Sequence, residues 1–183
     1  MAKLSWIAVL AAVLAVVPAR ASGRGEDAPS FEGKPFQLAL FDPVQIVSHD
    51  EGVSGVAINL IYGRNAFLRG VSLGIVNVVD KDVQGYQWGA VNLTAGNIVG
   101  GQFGLVSIAN GKLEGLQAGV VTVAGSTSGF QLGFVNHTKH ARGLQLGLVN
   151  HTETMNGIQI GAVNVIERGG WLPVTIIVNG SFP

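Results

Sequence analysis

The residues best equipped for chemistry in this chain are three histidines, His137, His140 and His151. Imidazole nitrogens are good ligands for Zn²⁺ and Cu²⁺. His137 and His151 stand at the same place in neighbouring copies of a repeat, with His140 three residues beyond the first. If the copies stack side by side, the three form a weak candidate metal site. The simpler reading is a surface histidine copied along with its unit, so no metal and no other cofactor is expected. The rest of the catalytic repertoire is thin. There is no cysteine, hence no thiol nucleophile and no disulfide framework. No spacing suggests a Ser/His/Asp arrangement. Asp42, Asp80, Asp82, Glu153 and Glu167 are scattered, and solvated turns are their expected home. The string Gly100-Gly101-Gln102-Phe103-Gly104 has the glycines of a phosphate-cradling loop but opens a repeat unit instead. The expectation is a protein without catalysis.

Four Asn-x-Ser/Thr triplets begin at Asn92, Asn136, Asn150 and Asn179. Three of them reuse the repeat's own asparagine, so duplication accounts for them without glycosylation. Tyr86, Trp88 and Phe103 occupy neighbouring units. Pointing outward they would make an apolar patch suited to a partner. Trp88 sits on the apolar side of its unit, and core packing is the expected role.

The element that must carry all of these residues is a repeat. Gly129-Phe-Gln-Leu-Gly-Phe-Val-Asn136 is followed 14 residues later by Gly143-Leu-Gln-Leu-Gly-Leu-Val-Asn150, and 14 later again by Gly157-Ile-Gln-Ile-Gly-Ala-Val-Asn164. Earlier units open at Gly55, Gly70, Gly85, Gly100 and Gly115, at spacings of 14 or 15. Phe36–Asp42 is a degenerate first copy, and Val174–Asn179 reads as a closing strand. Within a unit, positions two, four and six are apolar, while one, three and five are Gly, Gln or Ser, and Gly. That period of two makes a strand with one apolar and one thin polar face. Two glycines per unit would each cost a helix about 1 kcal/mol.

The fold class is therefore all-β, and two architectures satisfy the pattern. One is a repeat-built β-solenoid, or β-roll, of 14–15-residue units, each unit one coil. The alternative is an antiparallel β-meander or barrel. The solenoid accounts better for the equivalence of successive units, for the Val at position seven that breaks parity as a bend would, and for the Asn at position eight. Against it, His137-Thr-Lys-His-Ala-Arg142 offers little for a coil interior. In a solenoid, Gln87, Gln102, Gln117, Gln131, Gln145 and Gln159 form a single ladder, the candidate interaction surface. An outer-membrane barrel, with a pore or anchoring role, would need an apolar band of ~25 Å. The three-residue stripe of each unit falls short of it.

The N-terminus frames the chain. Lys3 precedes an apolar run from Leu4 to Val17, then Pro18 and Ala19-Arg20-Ala21. This is the pattern of a secretory signal, too short for the ~20 residues of a spanning helix. The expected organisation is a cleavable signal over 1–21, a flexible linker over 22–35 and a single β-repeat domain over 36–183. The whole chain carries 11 basic and 11 acidic residues. Lys3 and Arg20 leave with the signal and no acid does, so the mature net charge is −2. That argues against nucleic acid as a partner. The remaining candidates are another envelope protein, self-association, or a membrane, in the periplasm, outer membrane or at the cell surface.

The unit Gly143–Asn150, the lead-in Phe36–Gln45 and the segment Asn59-Leu-Ile-Tyr-Gly63 resemble bacterial surface-repeat proteins of the leptospiral lipoprotein type. The resemblance covers roughly residues 36–180. It implies export and a place in the cell envelope, with a structural or interaction role. The chain lacks the lipidated cysteine of the lipoprotein members, so lipid anchoring is not implied.

Overall fold

The computed structural model describes residues 33–182. The signal segment and nearly all of the linker lie outside the described residues. The described chain is all-β: β1 (Lys34–Phe41), β2 (Val44–Gln45), β3 (Val53–Asn65), β4 (Leu68–Val79), β5 (Val83–Thr94), β6 (Ile98–Leu146), β7 (Val149–Arg168) and β8 (Val174–Ser181). The extreme length of β6, 49 residues, arises because the ladder of hydrogen bonds continues around the bends of successive coils.

The pairing is parallel and in register with the repeat. Gly55 lies beside Gly70, Gly70 beside Gly85, and Gly85 beside Gly100. Further on, Asn136 pairs with Asn150 and Gln145 with Gln159. Each coil thus stacks on the one before it, about one strand separation of 4.8 Å along the axis. This is the β-solenoid, of about eight turns. The antiparallel meander or barrel is not what the chain adopts, because an offset of 14 or 15 residues joins equivalent positions in parallel rather than reversing the chain at each turn. Among the described residues antiparallel pairing appears only where each end is covered: β2 folds back on β1, and β8 runs against β7 with Ile160 beside Val178. Such closing strands cover the hydrogen-bonding edges that a stack otherwise leaves open.

The glycine at position one is required twice over. From Gly55 to Gly157 all eight have φ between +122° and +154°, which L side chains rarely adopt. A Cβ on Gly85 would also stand 1.9 Å from the carbonyl oxygen of Gly70, and one on Gly157 2.0 Å from that of Gly143.

The interior departs from expectation. Inside the coil are the polar residues at positions three and eight. Gln87, Gln102, Gln117, Gln131 and Gln159 are 0 % exposed, as are Asn92, Asn136, Asn150 and Asn164. Apolar columns, one including Leu68, Val83, Ile98 and Leu113 and another including Val79, Ala109 and Ala124, complete the core. Each such Leu, Ile or Val side chain contributes about 1.5–3 kcal/mol by burial. In the segment that looked poor for an interior, Thr138 and Ala141 face inward and the charged residues face out. A coil this short has room for small groups and slender amides, not for opposed rows of Leu, Phe and Trp. The six glutamines are therefore not an interaction surface; they are the core.

Candidate functional site

With glutamine and asparagine inside, the alternation of the strand turns positions two, four and six to the exterior. The result is an outward apolar face nine rows long. Along the repeat it runs from Phe36, Leu38 and Leu40 through Tyr86 and Trp88, then Phe130 and Phe134, to Ile158 and Ile160, and Val178 of β8 continues it beside Ile160. No residue at positions two to seven of any row carries a charge. The described residues with formal charge all lie elsewhere on the coil or at its ends.

The aromatic cluster belongs to this face. Trp88 is 63 % exposed and stacks on Phe103, with ring centroids 5.2 Å apart and planes 27° from parallel. Tyr86 is tilted against the same ring at 6.3 Å. The expectation of core packing for Trp88 is thus corrected.

Two hydrogen-bonded amide ladders hold the face from behind. From Gln102 onward each glutamine Nε2 donates to the Oε1 of the coil before it: Gln102 to Gln87 at 2.8 Å, Gln145 to Gln131 at 2.7 Å, Gln159 to Gln145 at 2.7 Å. The asparagines run the other way. Asn77 Nδ2 donates to Asn92 Oδ1, and Asn136 to Asn150, both at 2.8 Å. The amide dipoles of the two ladders therefore oppose one another. Glycine at position five makes room for the asparagine: a Cβ on Gly161 would lie 2.7 Å from Asn150 Nδ2.

The opposite side of the coil is polar and internally neutralised. Arg64 Nε donates to both oxygens of Asp80, at 3.1 and 3.0 Å, and Arg168 pairs with Glu153 at 3.0 Å. Asp82 Oδ1 accepts from the Asn97 backbone N–H at 2.7 Å. Lys112 pairs with Glu114, and Asp42 lies 3.6 Å from His49. Asp42, Asp80 and Asp82 lie in the connections between strands as expected, whereas Glu153 and Glu167 lie within β7 with their side chains turned outward.

The histidines come together only in part. His137 and His151 stack with centroids 5.0 Å apart, their Nδ1 atoms at 2.9 Å. Glu167 Oε1 is 3.1 Å from His151 Nε2 and accepts a hydrogen bond from its N–H. In the neutral pair the bridging Nδ1–H then belongs to His137, and His151 Nδ1 accepts. Burial, and then the adjacent His151 ring, hold the His137 imidazole below its ordinary value of 6.5, while Glu153 and Glu167 pull the other way. His140 stays apart from this pair. Its Nδ1 is 2.8 Å from Thr154 Oγ1, and it lines an open groove of about 430 Å³ with Lys112, Ser126 and Arg142. Among the described residues no three His, Asp or Glu gather as metal ligands. The glycosylation triplets are occluded as well: Asn92, Asn136, Asn150 and Asn179 are 0 % exposed.

The sequence did hold a sign of which face points out. Position four reads, in chain order, Ile58, Leu73, Trp88, Phe103, Ala118, Leu132, Leu146 and Ile160, a range from alanine to tryptophan, whereas Gln recurs unchanged at position three from Gln87 to Gln159. A close-packed interior does not tolerate such a range of volume at one site. Comparison with family models, curated proteins and solved structures finds no match to this chain.

Proposed function

We propose that the protein is an exported structural or interaction module of the cell envelope, that it has no catalytic role, and that its working surface is the outward apolar face. One observation carries this reading: nine stacked rows present apolar side chains to solvent with no charge among them. Soluble monomers rarely expose contiguous apolar patches above ~600 Å², and larger ones mark contact sites. Export is supported by the signal pattern of residues 1–21 and by the resemblance to surface-repeat proteins.

Two measurements test the reading. Mass analysis of the chain recovered from an exporting cell is expected to show Ser22 as the first residue; a chain retaining Met1 throughout would sink the export claim. A photo-activatable side chain placed at Leu132 on the apolar face is expected to give discrete cross-linked species, and the same probe at Lys139 on the polar side none. Equal capture at both positions, or none at Leu132, would remove the face from its role.

A further inference from the structure

We infer that the occupant of this face is a second copy of the same chain, packed face to face about a two-fold axis that passes near Phe103. The inference rests on the interaction-face reading above and names its partner.

Size is the first argument. Nine rows at ~4.8 Å by a stripe of about 18 Å give roughly 700 Å² per copy. Two copies would bury about 1,400 Å², within the range of roughly 1,200–2,000 Å² for stable specific interfaces. Composition is the second. A face without any charge matches the apolar interfaces of homodimers rather than the polar ones of transient complexes. Charge is the third. Residues 33–182 hold eight basic and eight acidic side chains, so copies do not repel each other. An anionic lipid surface also gains nothing from a neutral body.

Self-complementarity is the fourth argument. Phe103 lies in the fifth of the nine rows. A two-fold axis lying in the interface along the strand of that row sets each row against the row equally far on the other side and keeps each position opposite its own number. The bulkiest row, Tyr86-Trp88-Ala90, then meets Leu116-Ala118-Val120: Trp88 faces Ala118, and Ala90 faces Val120. Within the fifth row each position meets its own copy, and the Phe103 ring lies beside Gly101, where a Cβ would stand 2.9 Å from it. The largest side chain of the face, Trp88, thus falls opposite the smallest at its position, which helps sheets about 10 Å apart to close near the centre.

The native absence of cysteine makes the test direct. The full chain is expected to sediment as a dimer at micromolar concentration. Ala118→Asp, on the surface of the folded coil, is expected to give a monomer with an unchanged β circular-dichroism spectrum. Under oxidation, Phe103→Cys is expected to cross-link to itself. Leu38→Cys and Ile160→Cys, in the first and ninth rows, are each expected to stay uncross-linked alone and to cross-link when mixed. A dimer indifferent to Ala118→Asp, or self-linking of Leu38→Cys, overturns the arrangement. A monomeric wild type overturns the second copy outright. If that monomer floats with vesicles of phosphatidylcholine and phosphatidylglycerol, the face belongs to lipid and the interaction reading survives. If it neither floats nor gives cross-links from the Leu132 probe, both readings fall.

Discussion

At the scale of the residue, the fold depends on amides that satisfy one another. Gln131 donates to Gln117 at 3.0 Å and accepts from Gln145 at 2.7 Å. Gln131→Leu fills the space but leaves a buried acceptor on Gln117 and a buried donor on Gln145. Each orphan costs ~1–3 kcal/mol, so a loss of about 3 kcal/mol is expected in urea denaturation, against little change for exposed Lys139→Gln. The ladder itself shows this cost at its ends, where Gln87 Nε2 and Gln159 Oε1 have no partner in the flanking coils. The histidine pair makes a second prediction. A histidine whose folded-state pKa is depressed stabilises above its unfolded value of 6.5, and this contribution is lost as pH falls through the folded value. Melting temperature should therefore drop between pH 7.5 and pH 5, and His137→Gln should flatten the drop. An equally steep drop in the variant would clear His137 of responsibility.

At the scale of the element, the coil is shaped by its first glycine and closed by its last strand. Gly85→Ala combines a φ of +138° with a Cβ 1.9 Å from a backbone oxygen. Its expected cost exceeds ~2 kcal/mol, and a smaller loss in thermal unfolding would mean that the coils can part at that point. β8 carries the opposite case. Ile177 has φ of 74° beside an irregularity in the pairing of β7 and β8, and its side chain is largely exposed. A β-branched residue pays about 1–2 kcal/mol for that conformation. Ile177→Gly gives up little burial, so a gain of about 1 kcal/mol is expected from the denaturation midpoint. No gain would show that the isoleucine side chain contributes to the cap in a way its exposure hides.

At the scale of the whole molecule, stability accumulates coil by coil, since each coil touches only its neighbours. Deleting Gly143–Asn156 joins Arg142 to Gly157 and preserves the 14-residue step from Gly129. A shorter folded solenoid with the same β spectrum and a reduced denaturant slope is expected. Deleting only seven residues breaks the register that sets every side chain on its face, and loss of cooperative unfolding is expected. If both deletions behave alike, the repeat is not the unit of folding.

Much of this protein was settled by sequence alone. The unit, its length and its strand character follow from glycine, glutamine and asparagine recurring at steps of 14 and 15. Local chemistry forces them, since only glycine adopts the required φ and only matched amides stack as donors and acceptors. The likeness of successive units favours parallel in-register stacking over an antiparallel meander, but the tertiary structure decided it. The direction of the faces was decided there as well. Period-two alternation states that Trp88 and Gln87 point to opposite sides, but it is silent on which side is interior. The ordinary rule places the apolar side within. Here the narrow coil reverses it, because an interior shared along the stack lets each buried glutamine find its partner one coil away, which no single unit could offer. The same packing brought His137 against His151 and left His140 aside, a distinction that depends on where the coil bends rather than on spacing along the chain.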